Sequence, residues 1–386
     1  MTIKKDSIQT PAILLDLDIL ERNIEIYHQM ATAGNKKLWP MIKTHKSTEI
    51  ARMQLEYGAT GFLCGTLDEC EAIYENIVHS EKRYAGIMYA YPVASYPNIS
   101  RVVRLAKVCN AFYLRIDGHE QAVMLNQAAK EAGVCINYIV TINSGLDRFG
   151  IVPYELEGLM GKLTSLKHMK FCGISTHPGH VYSEADYAGV VKVATQESEI
   201  MLIATKSLSN MGIAPQIIGT GSTPTYPLIT NDALINCLHP GNYVFMDNMQ
   251  VSLGCAKEED CALTVLATVI SAPRTGEYII DAGSKCLGLD KGAHGNGKIK
   301  GHGQVKGLDI NISTLSEEVG KITAPHQTLK IGDKLEIIPN HACATANNTS
   351  FYMAMRKGNI ERIILVDMRG NSKCFPSVDY FNQNQL

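Results

Sequence analysis

His341 and Cys343, inside Pro339-Asn340-His341-Ala342-Cys343-Ala344, stand two residues apart behind the apolar run Leu335-Glu336-Ile337-Ile338. On a strand that spacing puts both side chains on one face. An imidazole beside a thiolate is a donor pair suited to zinc. A closed structural zinc site needs four ligands, and no Cys-x-x-Cys or further His/Cys pair stands nearby. A metal held here would keep positions open for water or substrate, as a catalytic metal does. The alternative is a chance pair, with Cys343 an ordinary buried thiol.

Lys43 ends the run Leu38-Trp39-Pro40-Met41-Ile42. At the mouth of an apolar barrel a lysine loses proton affinity by desolvation and becomes a candidate Schiff-base nucleophile. A solvated or ion-paired lysine is the bland alternative. Gly219-Thr220-Gly221-Ser222-Thr223-Pro224 combines glycines, which permit close backbone approach, with hydroxyl donors. Pro240-Gly241-Asn242-Tyr243 could complete the same anion cup. Either motif alone reads equally well as a turn. Together, near the end of a barrel, they fit a phosphate site. Arg148, after the run 135–142, could set a positive charge near an anionic ring oxygen, or lie in a surface loop. His177 and His180, in Thr176-His177-Pro178-Gly179-His180, are candidates for acid–base work, with a solvated loop as the alternative. A lysine, a phosphate cup and an open metal fit a phosphate-bearing aldehyde, which is pyridoxal phosphate chemistry.

Positioning these residues requires a scaffold, and the apolar pattern supplies one. Strand-like runs occur near 13–16, 38–43, 60–64, 84–89, 110–116, 135–142, 170–176, 215–219 and 243–247, with amphipathic segments between them. Thr66-Leu67-Asp68-Glu69 is a capping box opening a helix at 67–77. Ser47 can cap a helix that runs through Tyr57 and stops at Gly58, and 184–211 reads as one long helix. Alternating strand and helix implies a parallel sheet with crossovers. Nine runs are one too many for an eightfold barrel, so the first, Ala12-Ile13-Leu14-Leu15, is expected to join another domain. The α/β expectation is an N-terminal (β/α)8 barrel over 18–250, followed by a C-terminal mostly β domain made of 1–17 and 251–386. From 262 the texture is β-rich, with apolar runs at 262–270, 278–281, 334–338 and 361–367, and the Gly-dense segment Lys291–Gly307 reads as a loop.

The 386 residues are enough for two domains. A net charge of −2 gives no reason to expect a nucleic-acid or membrane-surface partner. Eleven scattered cysteines argue against a disulfide framework and for a reducing compartment, here expected to be the cytoplasm. Neither a signal-peptide pattern nor an apolar run of membrane-spanning length is present in the sequence.

An ordered series of motifs carries a family resemblance along nearly the whole chain. It includes Thr10-Pro11-Ala12, Lys43-Thr44-His45-Lys46, Tyr91-Pro92, Arg148-Phe149-Gly150, Pro178-Gly179-His180 and Gly221-Ser222-Thr223-Pro224-Thr225. It continues through Pro240-Gly241-Asn242-Tyr243, Asp281-Ala282-Gly283-Ser284-Lys285, Ser316-Glu317-Glu318 and Pro339-Asn340-His341-Ala342-Cys343. The set resembles the metal-activated branch of the fold-type III pyridoxal phosphate enzymes, which share the alanine racemase N-terminal barrel. That branch contains D-serine dehydratase, D-threonine aldolase and the D-3-hydroxyaspartate dehydratases and aldolases. The resemblance implies that Lys43 bonds the cofactor and that Arg148 faces its phenolic oxygen. It implies a phosphate held by Gly221, Ser222, Thr223, Gly241, Asn242 and Tyr243, and a zinc or other divalent metal on His341 and Cys343. It also implies a head-to-tail homodimer. Two departures stand out. The family's Arg-Pro-His is Trp39-Pro40-Met41 here, and its Glu-Glu-His-Gly is Glu317-Glu318-Val319-Gly320. Both put the substrate side chain in question.

The reaction expected from this resemblance is dehydration of a small D-3-hydroxy amino acid. Lys43 removes the α-proton, the cofactor stores the electrons, and the metal makes the β-hydroxyl a better leaving group. The products are a 2-oxo acid and ammonia. The thiolate ligand favours dehydration, because the related aldolases tend to carry a carboxylate there. Aldol cleavage to glycine and an aldehyde, with His177 or His180 as base, is the alternative. Racemisation and a non-catalytic pyridoxal phosphate carrier follow behind it.

Overall fold

The structure, a computed structural model, describes residues 3–292 and 299–370. Two short strands, β1 (Ile3–Lys4) and β2 (Ala12–Asp16), precede the barrel. The barrel strands are β3 (Lys37–Leu38), β4 (Gly61–Cys64), β5 (Gly86–Tyr89), β6 (Phe112–Ile116), β7 (Ile136–Thr141), β8 (Met169–Ser175), β9 (Ile217–Thr220) and β10 (Cys237–Leu238). They pair in parallel in the order β3-β10-β9-β8-β7-β6-β5-β4. A parallel bridge between Met41 and Leu63 brings the two ends together, so the sheet is a near-closed eightfold barrel. Helices on the outside bury one apolar stripe each. In Leu17–Ala33, for example, Leu17, Leu20, Ile24, Tyr27 and Ala31 face the barrel at helical spacing.

The barrel interior is filled by side chains, as layered packing requires. Trp39, Leu63, Met88, Ile139, Cys172, Ile217 and Cys237 form this inner cluster. Trp39 is 3% exposed, and its Nε1 donates to Thr60 Oγ1 at 3.0 Å. Its indole occupies the space that side chains at Gly61 and Gly86 would need. A Cβ on Gly61 would come within 2.6 Å of the ring, and one on Gly86 would also collide with it.

The eighth barrel strand lies at Cys237–Leu238, not at 243–247. Residues Asn242–Val244 form a 3-10 turn and Asn248–Ser252 a short helix. Tyr243, Val244 and Phe245 are each fully buried. A short continuous apolar run does not distinguish a strand from a buried turn by periodicity. The correction moves Pro240-Gly241-Asn242-Tyr243 from the entrance of the last strand to its C-terminal exit.

The second sheet contains ten strands: β1, β2 and β11 (Leu263–Arg274), β12 (Glu277–Ile280), β13 (Gln304–Val305), β14 (Ile312–Leu315), β15 (Gly320–Thr323), β16 (Lys334–Ile338), β17 (Phe351–Arg356) and β18 (Asn359–Leu365). The surplus strand β2 lies here, antiparallel to β11 and parallel to β17. Within Lys291–Gly307, read from sequence as loop, Gln304–Val305 is a strand, and 293–298 lie outside the described residues. Among the described residues no helix is long and apolar enough to cross a membrane.

The β sheet grips the segment that carries Lys43. Tyr352 OH donates to His45 O at 2.7 Å, Met368 N to Lys46 O at 3.0 Å, and Thr48 N to Asp367 Oδ1 at 2.8 Å. The last bond does the work assigned to Ser47, whose side chain caps nothing. In the other box, Thr66 accepts from Glu69 N as expected. Glu69, however, turns to Gly65 N and to a buried ion pair with Lys46. The helix it opens runs over Leu67–Ile73 and passes into a π-helical stretch, Tyr74–His79.

Candidate active site

A cavity of about 210 Å3 opens at the C-terminal end of the barrel, against the turn that follows β16. Its lining contains Lys43, Arg148, His177, Gly221, Ser222, Gly241, Asn242, His341 and Cys343. Three other sequence candidates lie behind it. Thr223 Oγ1 accepts from Tyr243 N at 3.1 Å and ties the two halves of the cup together. The Tyr243 ring points into the core, stacked on Tyr27 at 4.6 Å, with its hydroxyl accepting from Gln54. His180 is packed against Gly145 beside Gln196.

Lys43 sits on a 3-10 turn, Ile42–Thr44, just beyond β3. Arg148 lies at the rim with its guanidinium over the rings of Phe149 at 5.2 Å and Tyr91 at 5.9 Å. His177 is partly buried in the cavity wall, and its Nδ1 donates to Gly221 O at 2.9 Å. Burial, helped by the positive charge of Lys43, pulls its pKa down to about 3. The ring is therefore neutral at physiological pH.

His341 and Cys343 meet by a different route from the strand geometry expected. β16 ends at Ile338, and His341 is the N-cap residue of the helix Ala342–Asn347. The first turn of that helix brings the two side chains into hydrogen-bond contact. Burial opposes charge on both, but each stabilises the other's ion. The imidazole is held well above its usual range and the thiol below it. Lys43 and Thr44 add to the thiolate's stabilisation, and Cys343 Sγ lies 3.4 Å from Thr44 Oγ1. Without a metal the pair is an imidazolium beside a thiolate; loss of the ring proton to an incoming zinc would leave a nitrogen and a soft sulfur anion side by side, the donor chemistry of a zinc site. His341 Nδ1 bonds Asp290 Oδ2 at 2.8 Å, which leaves Nε2 to face Cys343.

Asp290, one residue before the Gly-dense segment Lys291–Gly307, carries no local signal of this contact in the sequence. Asp247 is a second residue missed. It is fully buried, and desolvation raises its pKa despite the donors around it. Oδ2 accepts from Asn242 Nδ2 at 2.5 Å and from Ala342 N at 2.9 Å, and Oδ1 accepts from Gln250 N at 3.1 Å. One carboxyl therefore joins the cup to the His341 turn. Its signal was present, as an Asp directly before a helix. The cavity floor holds a third, Arg115 on β6, which is 4% exposed and donates to Ser175 Oγ. Burial lowers its pKa to about 10, so it stays a cation. Beside it on the floor His239, neutral with a pKa of about 3 through burial, leaves Nε2 without a partner.

The alanine racemase N-terminal domain family matches residues 15–249, and a serine dehydratase domain matches 262–355. D-serine dehydratase of Dictyostelium discoideum is 28% identical, over 92% of this chain and 95% of its own length. D-threo-3-hydroxyaspartate dehydratase from Delftia sp. HT23 superposes with a TM-score of 0.85 at 27% identity, covering 94% of this chain and 99% of that one. A C-to-A mutant of D-threo-3-hydroxyaspartate dehydratase is also solved, in its metal-free form. D-threonine aldolase from Filomicrobium marinum superposes at 0.86 with 25% identity, over 97% of this chain and 99% of its own. The chain belongs to the alanine racemase N-terminal domain family, in the branch of fold-type III pyridoxal phosphate enzymes that includes D-serine dehydratase and D-threonine aldolase.

Proposed function

We propose that the protein is a pyridoxal phosphate- and zinc-dependent ammonia-lyase that converts a small D-3-hydroxy amino acid into a 2-oxo acid and ammonia. The observation that carries this reading is the His341–Cys343 pair opening into the same cavity as Lys43. The cavity suits the phosphate group. Gly221 and Gly241 line it, and a Cβ there would collide with His239 N at 2.7 Å or press on Thr44 Oγ1 at 3.0 Å, so close packing keeps both positions glycine and presents bare backbone to the cavity. Gly221, Ser222, Gly241 and Asn242 would hold the phosphate, with Thr223 and Tyr243 bracing them from behind. When bound, pyridoxal phosphate withdraws electrons from the α-carbon and a divalent metal polarises the β-hydroxyl.

The chain's own residues would do the rest. Lys43 Nζ would take the α-proton, with Cys343 and Thr44 close by to confine it. His341 Nε2 and Cys343 Sγ would offer two ligands and leave the remaining metal positions to substrate. Arg148 would set positive charge at the rim. His177 bears on the choice between dehydratase and aldolase. An imidazole that holds no proton until about pH 3 is a poor general base for a hydroxyl. His180 is not among the cavity-lining residues. Both facts favour dehydration over aldol cleavage. The division into a barrel over 18–250 and a β domain over 1–17 and 251–386, a homodimeric assembly and a cytoplasmic location belong to the same proposal.

The test offers the purified protein D-serine, D-threonine and the D-3-hydroxyaspartates, with and without a chelator. Chelator-sensitive 2-oxo acid is the expected product. Glycine with an aldehyde would establish the aldolase instead.

A further inference from the structure

The long helix Tyr187–Asn210 carries a carboxyl that the chemistry above does not use. Glu197 is fully buried, and no short, well-aligned hydrogen bond ties down its carboxyl, which leaves it free to turn to the one hydroxyl that bears on it. The polar group set against it is the Thr225 hydroxyl. Thr225 Oγ1 in turn lies 2.9 Å from Ser222 Oγ, which also accepts from Thr225 N at 3.3 Å. Ser222 lines the cavity at the cup. A chain of three groups thus runs from the helix interior to the phosphate position.

Each hydroxyl has one proton to give, so the direction of this chain depends on its far end. We propose that Glu197 is a positioning residue for the cofactor phosphate: as a carboxylic acid it donates to Thr225, Thr225 donates to Ser222, and the Ser222 proton is left to face the anion. Ionised, Glu197 becomes an acceptor only. Thr225 then turns its proton toward Glu197, Ser222 turns its own toward Thr225, and a lone pair meets the phosphate. Protonation of a residue outside the cavity thereby sets the polarity of a group inside it. The inference rests on the pyridoxal phosphate reading of the cup.

The surroundings keep this carboxyl neutral at pH 7. Burial pushes its pKa up to about 8, against the opposing pull of Thr225, and Asp232 adds to the rise. From the neighbouring segments the titratable groups turned inward are His180, Tyr182 and Tyr226. Burial keeps all three uncharged at that pH by lowering the first and raising the other two. The acidic and basic side chains on 153–155 and 156–163 are exposed.

The experiment titrates the cofactor-free full chain with pyridoxal phosphate and with pyridoxal, from about pH 7 to about pH 9.5, following the visible absorbance of the bound form. Pyridoxal shares the Lys43 chemistry and lacks the phosphate, so the affinity ratio isolates the cup. In the wild type this ratio falls about tenfold as Glu197 ionises, the worth of one hydrogen bond to an anion. In Glu197→Gln, whose amide donates at every pH, the ratio stays flat. In Thr225→Val, which takes away the acceptor that would draw the Ser222 proton from the anion, the ratio is also flat. An equal fall in the wild type and Glu197→Gln overturns the inference and leaves the cofactor assignment standing. Absence of pyridoxal phosphate binding at any pH overturns both.

Discussion

Replacing Asp247 tests whether the phosphate cup and the His341 turn are one mechanical unit. The carboxyl accepts from Asn242, Ala342 and Gln250, at 2.5, 2.9 and 3.1 Å, in a fully buried place. In Asp247→Ala three buried donors lose their acceptor. At about 1–3 kcal/mol for each unsatisfied group, the gross loss is roughly 3–9 kcal/mol. Removing a carboxyl that burial already disfavours offsets part of it. A net destabilisation of roughly 3–5 kcal/mol is expected, read as a lower denaturation midpoint. Asp247→Asn is the sharper variant. Its remaining oxygen can serve Gln250 N as helix cap, while its new amide faces two donors, Asn242 Nδ2 and Ala342 N. The cup and the metal turn should loosen together, each losing about tenfold in affinity, the equivalent of one neutral hydrogen bond. Pyridoxal phosphate titration reads one side, and zinc competition against a chromophoric chelator reads the other. An Asp247→Asn protein with lowered stability but both affinities intact would refute the coupling.

Asp290→Asn should weaken zinc binding by roughly 10–100-fold while leaving pyridoxal phosphate binding unchanged, because it removes the carboxylate that orients His341; equal zinc affinity in competition titrations would count against that role. Cys343→Ala should lose zinc and lyase activity but keep the cofactor spectrum, and retained chelator-sensitive activity would remove Cys343 from the metal site. His45, His177 and His239 are held neutral by burial down to about pH 3, against 6.5 when unfolded. The unfolded chain therefore binds more protons below 6.5, and stability falls with falling pH. Each of the three costs up to about 1.4 kcal/mol per pH unit below that value. The melting temperature of the cofactor-free protein should drop markedly from about pH 7.5 to about pH 5.5, and a flat profile would contradict the burial of these rings.

The barrel was legible because its strands alternate with capped helices, and because nine runs left one strand over for the second sheet. Lys43, the Gly221-Ser222 turn and the His341–Cys343 pair were legible because their types announce a chemistry. The last barrel strand was misplaced because Tyr243-Val244-Phe245 is buried on every side, so no period marks it as turn or strand. The His–Cys spacing was right for the wrong element, since a helix N-terminus also brings together residues two apart when the first is its cap. Asp290, Arg115 and Glu197 were not legible. Their significance comes from a partner or a lack of one, and partners 51 and 60 residues away, as for Asp290 and Arg115, leave no local pattern.

Trp39 has a consequence for anyone who would graft the family's Arg-Pro-His into this chain. The indole fills volume that Gly61 and Gly86 leave vacant, and Thr60 answers its nitrogen. An arginine at 39 would inherit a hollow between two bare backbones and place its charge within the same apolar inner cluster as Leu63 and Met88. Positions 39, 61 and 86 therefore form one inherited unit. A change at any one of the three disturbs the packing of the other two.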